Sequence, residues 1–231
     1  MVRCPCGIVR DLVERYALSM ACDHPTLRVL DHPLIQHKLS RLRDSKTSSE
    51  DFRRLLNQVA GLMTFQVSRD LATADHDVAT PLATARCRKL ATPVTLVPIL
   101  RAGLGMVDGI LLLFPEARVG HIGLYRDETT HQPVAYYAKF PPDMAAGPAL
   151  VVDPMLATGG SAVEAINTIK DAGCKDVRLI CLVAAPEGVD AVAQAHGDVP
   201  IFTASLDDHL NENKYIVPGL GDAGDRIFGT A

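Results

Sequence analysis

The sequence contains no apolar run long enough to cross a membrane and no cluster of basic residues. Its most apolar stretch, residues 104–114, is interrupted by Asp108 and falls well short of the roughly 20 residues that a transmembrane helix needs. The formal net charge is −4 at pH 7, so charge does not favour a broad contact with nucleic acid or with an anionic membrane. Any binding of phosphate groups must therefore depend on local sites.

The amino-terminal segment also lacks the apolar core of a secretory signal, because four charged residues divide it: Arg10, Asp11, Glu14 and Arg15. We therefore expect a cytoplasmic protein. Cysteine is scarce, at six residues in 231. Cys87, Cys174 and Cys181 stand alone in the body of the chain, as reduced and packed cysteines do.

Residues 1–27 differ in composition from the rest of the chain, and three of the six cysteines lie there. We interpret them as an extension of uncertain structure and residues 28–231 as a single domain. Two groups of residues could suggest metal ligands. The first group, Cys4, Cys6, Cys22 and His24, matches no standard zinc finger. The second group, Asp207, Asp208 and His209, is typical of a polar turn.

Residues 48–71 carry apolar side chains at a period near 3.6 residues, which predicts an amphipathic helix with Ser48 as its cap. We expect its apolar stripe to pack against the core or against another subunit. The stripe consists of Phe52, Leu55, Leu56, Val59, Leu62, Met63 and Phe65.

Short apolar runs predict buried strands at residues 94–100, 119–124, 134–137, 149–152, 177–184 and 199–203. Helices are predicted between the later strands, at residues 160–172 and 187–196. This alternation indicates an α/β fold with a parallel sheet and helices on both faces. Ligands of such sheets bind beyond the carboxyl ends of the strands, so the residues that follow each strand matter most.

The segment after residues 149–152 predicts a phosphate site. The strand ends at Asp153, and Thr158-Gly-Gly-Ser161 opens the next helix. Glycines let the backbone approach a ligand closely, and the N–H groups at a helix start favour an anion. The pattern is neither a Walker A loop nor the G-x-G-x-x-G dinucleotide motif. A glycine-rich turn with a Ser or Thr cap is the alternative interpretation.

The sequence DPMLATGGS resembles the signature that binds phosphoribosyl pyrophosphate (PRPP) in type I phosphoribosyltransferases, in the form typical of uracil phosphoribosyltransferases. The general family has two adjacent acidic residues, and Pro154 replaces the second one here, as in the uracil branch. The resemblance implies that Asp153 contacts the ribose hydroxyls and that residues 157–161 hold the 5-phosphate. The PRPP residues implied for this loop are Asp153, Pro154, Met155, Leu156, Ala157, Thr158, Gly159, Gly160 and Ser161.

Two arginines follow predicted strands. Arg101 lies in VPILRAGLGM, and Arg126 begins the polar segment 126–131. Arginine suits bidentate contact with phosphate. From the residues alone, a solvated side chain and a charged hairpin tip remain open for the two positions. The resemblance implies that Arg101 binds pyrophosphate and that Arg126 lies on a mobile loop that closes over PRPP and excludes water.

Residues 215–230, YIVPGLGDAGDRIFGT, contain four glycines and a proline, which predicts no regular element. An ordered coil on the sheet edge is one interpretation. The stretch also resembles the uracil-binding segment of the same family. Backbone groups could meet O2, N3–H and O4 of uracil with donor, acceptor and donor, and so reject cytosine. The resemblance assigns this role to Ile216, Gly221, Asp222 and Ala223, and Asp222 also faces PRPP and its metal.

The resemblance implies a type I phosphoribosyltransferase-like α/β fold, with a small hood formed by the N-terminal and C-terminal segments. It implies synthesis of UMP from uracil and PRPP in pyrimidine salvage, with Arg101, Arg126 and Asp222 as catalytic residues. Mg²⁺ is expected to bind mainly through PRPP, with few protein ligands. Further implied partners are GTP as an activator and other copies of the chain, in a dimer or tetramer. An RNA-binding regulator, a purine transferase and a non-catalytic nucleotide-binding module remain as alternatives.

Overall fold

A computed structural model describes residues 24–126 and 133–230. Residues 1–23, which make up most of the predicted extension, lie outside the described residues. The same holds for residues 127–132, which include most of the predicted closing loop 126–131, and for the side chain of Arg126. The first strand in the described part of the chain begins at Leu27, whose side chain is buried.

Strands and helices alternate along the described chain. The strands are β1 (Leu27–Val29), β2 (Thr73–Ala79), β3 (Thr84–Leu90), β4 (Thr95–Leu100), β5 (Arg118–Val119), β6 (His121–Arg126), β7 (Pro133–Lys139), β8 (Ala149–Val152), β9 (Met155–Leu156), β10 (Val177–Ala184), β11 (Ile201–Leu206), β12 (His209–Leu210) and β13 (Ile216–Val217). The helices are α1 (Pro33–Arg43), α2 (Ser49–Val67), α3 (Leu104–Leu111), α4 (Gly160–Asp171), α5 (Pro186–Ala195) and α6 (Ala223–Phe228), with a 3₁₀ turn at Met144–Ala146.

The central sheet is mostly parallel, as predicted. Its strands lie in the order β1-β11-β10-β8-β4-β6-β7, with β5 beside β4 and β9 beside β10. Strand β7 runs antiparallel to β6, and the other pairs of this sheet are parallel. The apolar runs predicted β4, β8 and β10 closely, because strands buried on both faces are almost continuously apolar.

Alternate residues of the central strands face opposite sides of the sheet. In β8, Leu150 and Val152 pack with α1, α2 and α3, whereas Ala149 and Val151 pack with α4 and α5. Helices therefore cover both faces, which confirms the predicted layers. Across the part of the chain that the structure describes, none of the helices combines the length and the apolar character needed to span a bilayer.

Helix α2 confirms the helix predicted at residues 48–71, with Ser48 accepting a hydrogen bond from the Asp51 N–H at 3.2 Å. Its apolar stripe is only partly buried, however. Phe52 and Met63 are fully buried, whereas Phe65 is 73% exposed. At about 100° per residue, Phe65 projects from the other side of the helix and cannot reach the core of its own chain.

The sequence patterns did not predict the β2–β3 hairpin or helices α1 and α3. Both strands of the hairpin are largely exposed and so carry no alternating apolar face. Helix α3 is short and rich in apolar residues, so it lacks the polar face that marks an amphipathic helix. Helix α1 has a weaker signal in Pro33, which suits the first helical turn.

Candidate active site

A pocket of about 250 Å³ opens at the carboxyl end of the sheet, between the loop after β8 and the C-terminal segment. Parallel strands share one carboxyl edge, so the loops that follow β4 and β8 meet there. The lining residues are Ala102, Asp153, Met155, Ala157, Lys214, Tyr215, Ile216, Gly221, Asp222, Ala223 and Gly224.

The loop after β8 brings the first predicted carboxylate into this pocket. The Asp153 N–H donates to the Ile180 carbonyl at 3.1 Å, and the Asp153 carboxylate accepts from the Met155 N–H at 3.3 Å. Pro154 and Leu156 are buried instead. The Pro154 carbonyl accepts backbone hydrogen bonds from β10, so these two residues fasten the loop to the sheet.

Helix α4 starts beside the pocket at Gly159, which has a φ of +81°. A Cβ at this position would lie 2.8 Å from the Gly188 carbonyl oxygen, so glycine alone fits. Since Gly159 has no side chain, it cannot cap the first N–H groups of α4. Those groups and the helix dipole suit a phosphate, as the sequence predicted. Thr158, Gly160 and Ser161 surround this helix start, next to the lining residue Ala157.

Asp153 has an unusual acidity. Removal of its carboxyl group from water raises its pKa to about 7. The hydrogen bond from the Met155 N–H opposes this rise, and the charge of Asp222 adds to it. A carboxyl group that changes its charge near neutral pH in a pocket is typical of a functional site.

Of the two predicted arginines, Arg101 does not line the pocket, and the side chain of Arg126 lies outside the described part of the structure. Arg101 follows β4 with an exposed side chain, and its guanidinium carbon lies 5.6 Å from the centre of the Phe228 ring. Its neighbour Ala102 lines the pocket in its place. Arg126 is the last residue of β6, and its side chain is outside the described part of the structure.

The prediction that residues 215–230 form no regular element was wrong. Strand β13 pairs with β12 as a short antiparallel hairpin, and α6 follows. The Asp222 carboxylate caps α6 by accepting from the Asp225 N–H at 2.9 Å, and Gly229, with a φ of +68°, ends the helix. These are standard cap residues that the high glycine content concealed.

All four residues predicted to read the base line the pocket: Ile216, Gly221, Asp222 and Ala223. The sequence analysis missed Ala102, Lys214, Tyr215 and Gly224 as lining residues. Lys214 has a left-handed backbone, with a φ of +65°, at the turn between β12 and β13. A lysine gives no sequence signal for that conformation, whereas Tyr215 is the first residue of the predicted segment 215–230 and could have been included.

Two carboxylates, Asp153 and Asp222, face this pocket. The described residues contain no group of three or more His, Cys, Asp or Glu side chains able to hold a metal ion. The carboxylate oxygens of these two residues are ligands of the kind that Mg²⁺ prefers.

Comparisons with known proteins agree with this geometry. The sequence model of the family described as uracil phosphoribosyltransferase matches residues 29–230. The uracil phosphoribosyltransferase of Symbiobacterium thermophilum is 61% identical over 203 residues, which covers 87% of this chain and 97% of that protein.

Solved structures give the same result for the fold. The AQ2163 protein from Aquifex aeolicus is similar with a TM-score of 0.85 and 34% identity, over 89% of this chain and 99% of that one. The adenine phosphoribosyltransferase from Leishmania donovani shares the fold, with a TM-score of 0.54 and 12% identity over 84% of this chain and 89% of that one. A match over nearly all of the described sequence shows that the chain belongs to the uracil phosphoribosyltransferase family.

Proposed function

We propose that this chain transfers the 5-phosphoribosyl group of PRPP to N1 of uracil, and so forms UMP and pyrophosphate. One observation carries the proposal: a single pocket joins the acidic phosphate loop at Asp153 and Ala157 to the glycine-rich turn at Ile216 and Gly221. A nucleotide product needs one site that binds its phosphate and one that recognises its base, and these two segments are proposed to supply them.

The base is read by main-chain groups of Ile216 and of residues 221–223. Uracil presents an acceptor, a donor and an acceptor along O2, N3–H and O4. Cytosine presents an amino donor in place of O4, which would leave a buried backbone donor unpaired. A site that binds hydrogen-bonding groups in fixed positions rejects such analogues strongly.

The reaction breaks the bond from C1 of the ribose to the pyrophosphate oxygen and forms the bond from C1 to N1 of uracil. N1 gives up its proton in the same reaction, to the departing pyrophosphate or to water. Arg101 and Arg126 are proposed to hold the departing pyrophosphate, with Arg101 turning from Phe228 toward it. Asp153 is proposed to bind the ribose hydroxyls, and Asp222 faces the reacting sugar. Fixed positions and charge stabilisation can carry most of the rate enhancement without a covalent nucleophile.

Mg²⁺ is proposed as the cofactor, carried into the pocket by PRPP. The carboxylates of Asp153 and Asp222 give the pocket the oxygen ligands that this ion prefers. When bound, the ion neutralises charge on the pyrophosphate.

The direct test of the proposal is a comparison of bases. With PRPP and Mg²⁺, we expect UMP from uracil and at least about a hundredfold lower kcat/KM with cytosine, hypoxanthine or orotate. Cytosine mispairs with the backbone groups, hypoxanthine is a larger bicyclic base, and orotate carries a charged carboxylate beside N1. Initial rates followed by chromatography of the nucleotide products measure this. Turnover of hypoxanthine alone would indicate a purine transferase, and UMP binding without turnover of any base would indicate a regulator.

The proposed catalytic roles predict that Arg101→Ala and Asp222→Asn lower kcat/KM by about a hundredfold or more, because each removes a charge near the reacting groups. Steady-state kinetics measure the loss, and circular dichroism shows whether each variant is folded. Arg54→Ala, which removes an exposed arginine that pairs with Asp51, serves as the matched control and should keep its rate. Folded Arg101→Ala and Asp222→Asn variants with unchanged rates would remove both residues from the site.

The raised pKa of Asp153 predicts two effects of pH. The kcat/KM for PRPP should rise through about pH 7, because only the carboxylate accepts two hydrogen bonds from ribose. Between its ordinary pKa of 3.8 and about 7, the folded chain keeps a proton that the unfolded chain has released. Stability should therefore fall as pH rises through that window.

Asp153→Asn checks both effects, since its amide does not titrate. Thermal unfolding at pH 8 should show this variant to be more stable than the wild type, although its activity is largely lost. The range from roughly pH 5.5 to 8.5 lies on both sides of the pKa of Asp153. A wild-type kcat/KM for PRPP that stays flat over this range would contradict the assignment.

The homo-oligomer is also part of the proposal. An apolar groove of about 450 Å³ lies on the outer side of α1, α2 and α3. Phe65 and Leu112 on its rim are 73% and 83% exposed. An exposed patch of this kind marks a contact surface, and we propose that a second copy of this chain covers it.

Phe65→Ser combined with Leu112→Ser should therefore shift the protein toward monomers, because it removes apolar area from the contact without touching the core. Sedimentation at several protein concentrations measures the change. An unchanged oligomer would place the contact elsewhere.

GTP is also proposed as an activator. Repeating the UMP assay with added GTP tests this, and a higher rate is expected.

A further inference from the structure

A buried ion pair lies just outside the pocket. Asp207 follows β11, and its side chain is 2% exposed. Its two carboxylate oxygens accept from the two terminal nitrogens of Arg43, at 2.6 and 2.7 Å, in the bidentate form that only arginine provides. Ser205 donates to the same carboxylate at 2.7 Å. Arg43 comes from the last turn of α1, so the pair joins α1 to the sheet edge.

The same pair holds both backbone groups of Gly219. The Gly219 N–H donates to Asp207 at 2.8 Å, and the Gly219 carbonyl accepts from Arg43 at 2.6 Å. Gly219 has a φ of +58°, and a Cβ there would lie 2.1 Å from the Ile216 carbonyl oxygen. The turn between Ile216 and Gly221 is therefore pinned at its centre, by residues that do not line the pocket.

A second arginine fastens the next residue of the turn. Arg226 of α6 donates to the Leu220 carbonyl at 2.8 Å, to the Leu42 carbonyl and to the Asp44 carbonyl at 2.6 Å. Its guanidinium lies 4.4 Å from the centre of the Phe52 ring. The carbonyls of Gly219 and Leu220 thus both bind arginine. The guanidinium groups of Arg43 and Arg226 do not bind the backbone of Ile216 or of residues 221–223. Within residues 221–223, the Asp222 carbonyl accepts from the Arg226 N–H at 3.1 Å, at the start of α6.

We propose that Arg43 and Asp207 are positioning residues for uracil, which fix the turn at Gly219 so that the backbone groups on either side of it keep the spacing that the base requires. The inference rests on the proposed function and names residues that act through Gly219 rather than by touching the base. Backbone recognition needs this support, because a shift of about 1 Å in the turn separates donors and acceptors from a rigid ring.

The charge state of the pair agrees with this role. Burial opposes ionisation of Asp207, but the hydrogen bonds from Arg43 and Ser205 outweigh it and hold the pKa of Asp207 below its usual range. Asp207 therefore remains a carboxylate at the pH values where the enzyme would work, and its pairing with Arg43 persists there.

The experiment compares Arg43→Lys and Asp207→Asn with the wild type at saturating concentrations of each substrate in turn. Lysine keeps the charge but cannot bind both carboxylate oxygens and the Gly219 carbonyl together. We expect KM for uracil to rise roughly tenfold or more in both variants, while KM for PRPP changes by less than about threefold. The preference for uracil over cytosine should fall as well.

Arg178→Lys is the matched control. Arg178 is also largely buried and bidentate, and it pairs with Asp176 and with the Val67 carbonyl. It is the second residue of β10, at the end of the strand opposite to the carboxyl edge where the pocket lies. Arg178→Lys should lower the melting temperature by about as much as Arg43→Lys does. The KM values of Arg178→Lys for both substrates should stay unchanged. A general loss of stability is thereby separated from a loss of positioning.

The outcomes distinguish the two claims. Wild-type UMP formation with an unchanged uracil KM in Arg43→Lys or Asp207→Asn would overturn the positioning role alone. The same holds if KM for uracil and KM for PRPP rise together. If one variant fails to fold, the other decides. Absence of UMP formation by the wild type would overturn the proposed function and, with it, this inference.

Discussion

The shared carboxyl edge of the parallel strands is the constraint on which the rest of the structure depends. Because β4, β8 and β10 run in the same direction, the loops that carry Arg101 and Asp153 must leave the sheet on one side. Helices on both faces bury these strands and keep the edge rigid. The site can then use short loops and main-chain groups, whose positions the sheet determines. Strands β6 and β7 form the one antiparallel pair among the described strands of this sheet.

The C-terminal segment completes the site, and its own structure explains why glycine is abundant there. Between β13 and α6 the chain turns tightly, and in the proposed function its backbone groups bind the base. Such a turn has few side chains of its own to hold it. Two arginines from outside supply the missing support, Arg43 through Asp207 and Arg226 through three carbonyls. The recognition of the base and the packing of α1 against the sheet are therefore coupled.

The sequence predicted the parts of the fold whose burial leaves a periodic pattern. Strands β4, β8 and β10 and helix α2 stood where apolar runs or a 3.6-residue period indicated. Phe65 belongs to the predicted apolar stripe but is exposed on the other side of α2, which leaves contact with another subunit as the alternative for this residue. Helix α6 was missed because its two caps, Asp222 and Gly229, lie in a glycine-rich segment. The resemblance indicated which residues form the site. It did not indicate the pairing of Arg43 with Asp207, which spans 164 residues of sequence. The residue pattern around Asp207 was interpreted only as a polar turn.

The central claim is that one pocket reads both halves of a nucleotide, and a crystal structure of the protein with bound UMP tests it most directly. The account predicts the 5-phosphate at the start of α4, against the N–H groups of residues 157–161. It predicts the uracil edge within hydrogen-bonding distance, about 2.7–3.2 Å, of backbone atoms of Ile216 and residues 221–223. Uracil bound elsewhere would contradict this account. So would uracil held by side chains, without hydrogen bonds to the backbone of Ile216 and residues 221–223.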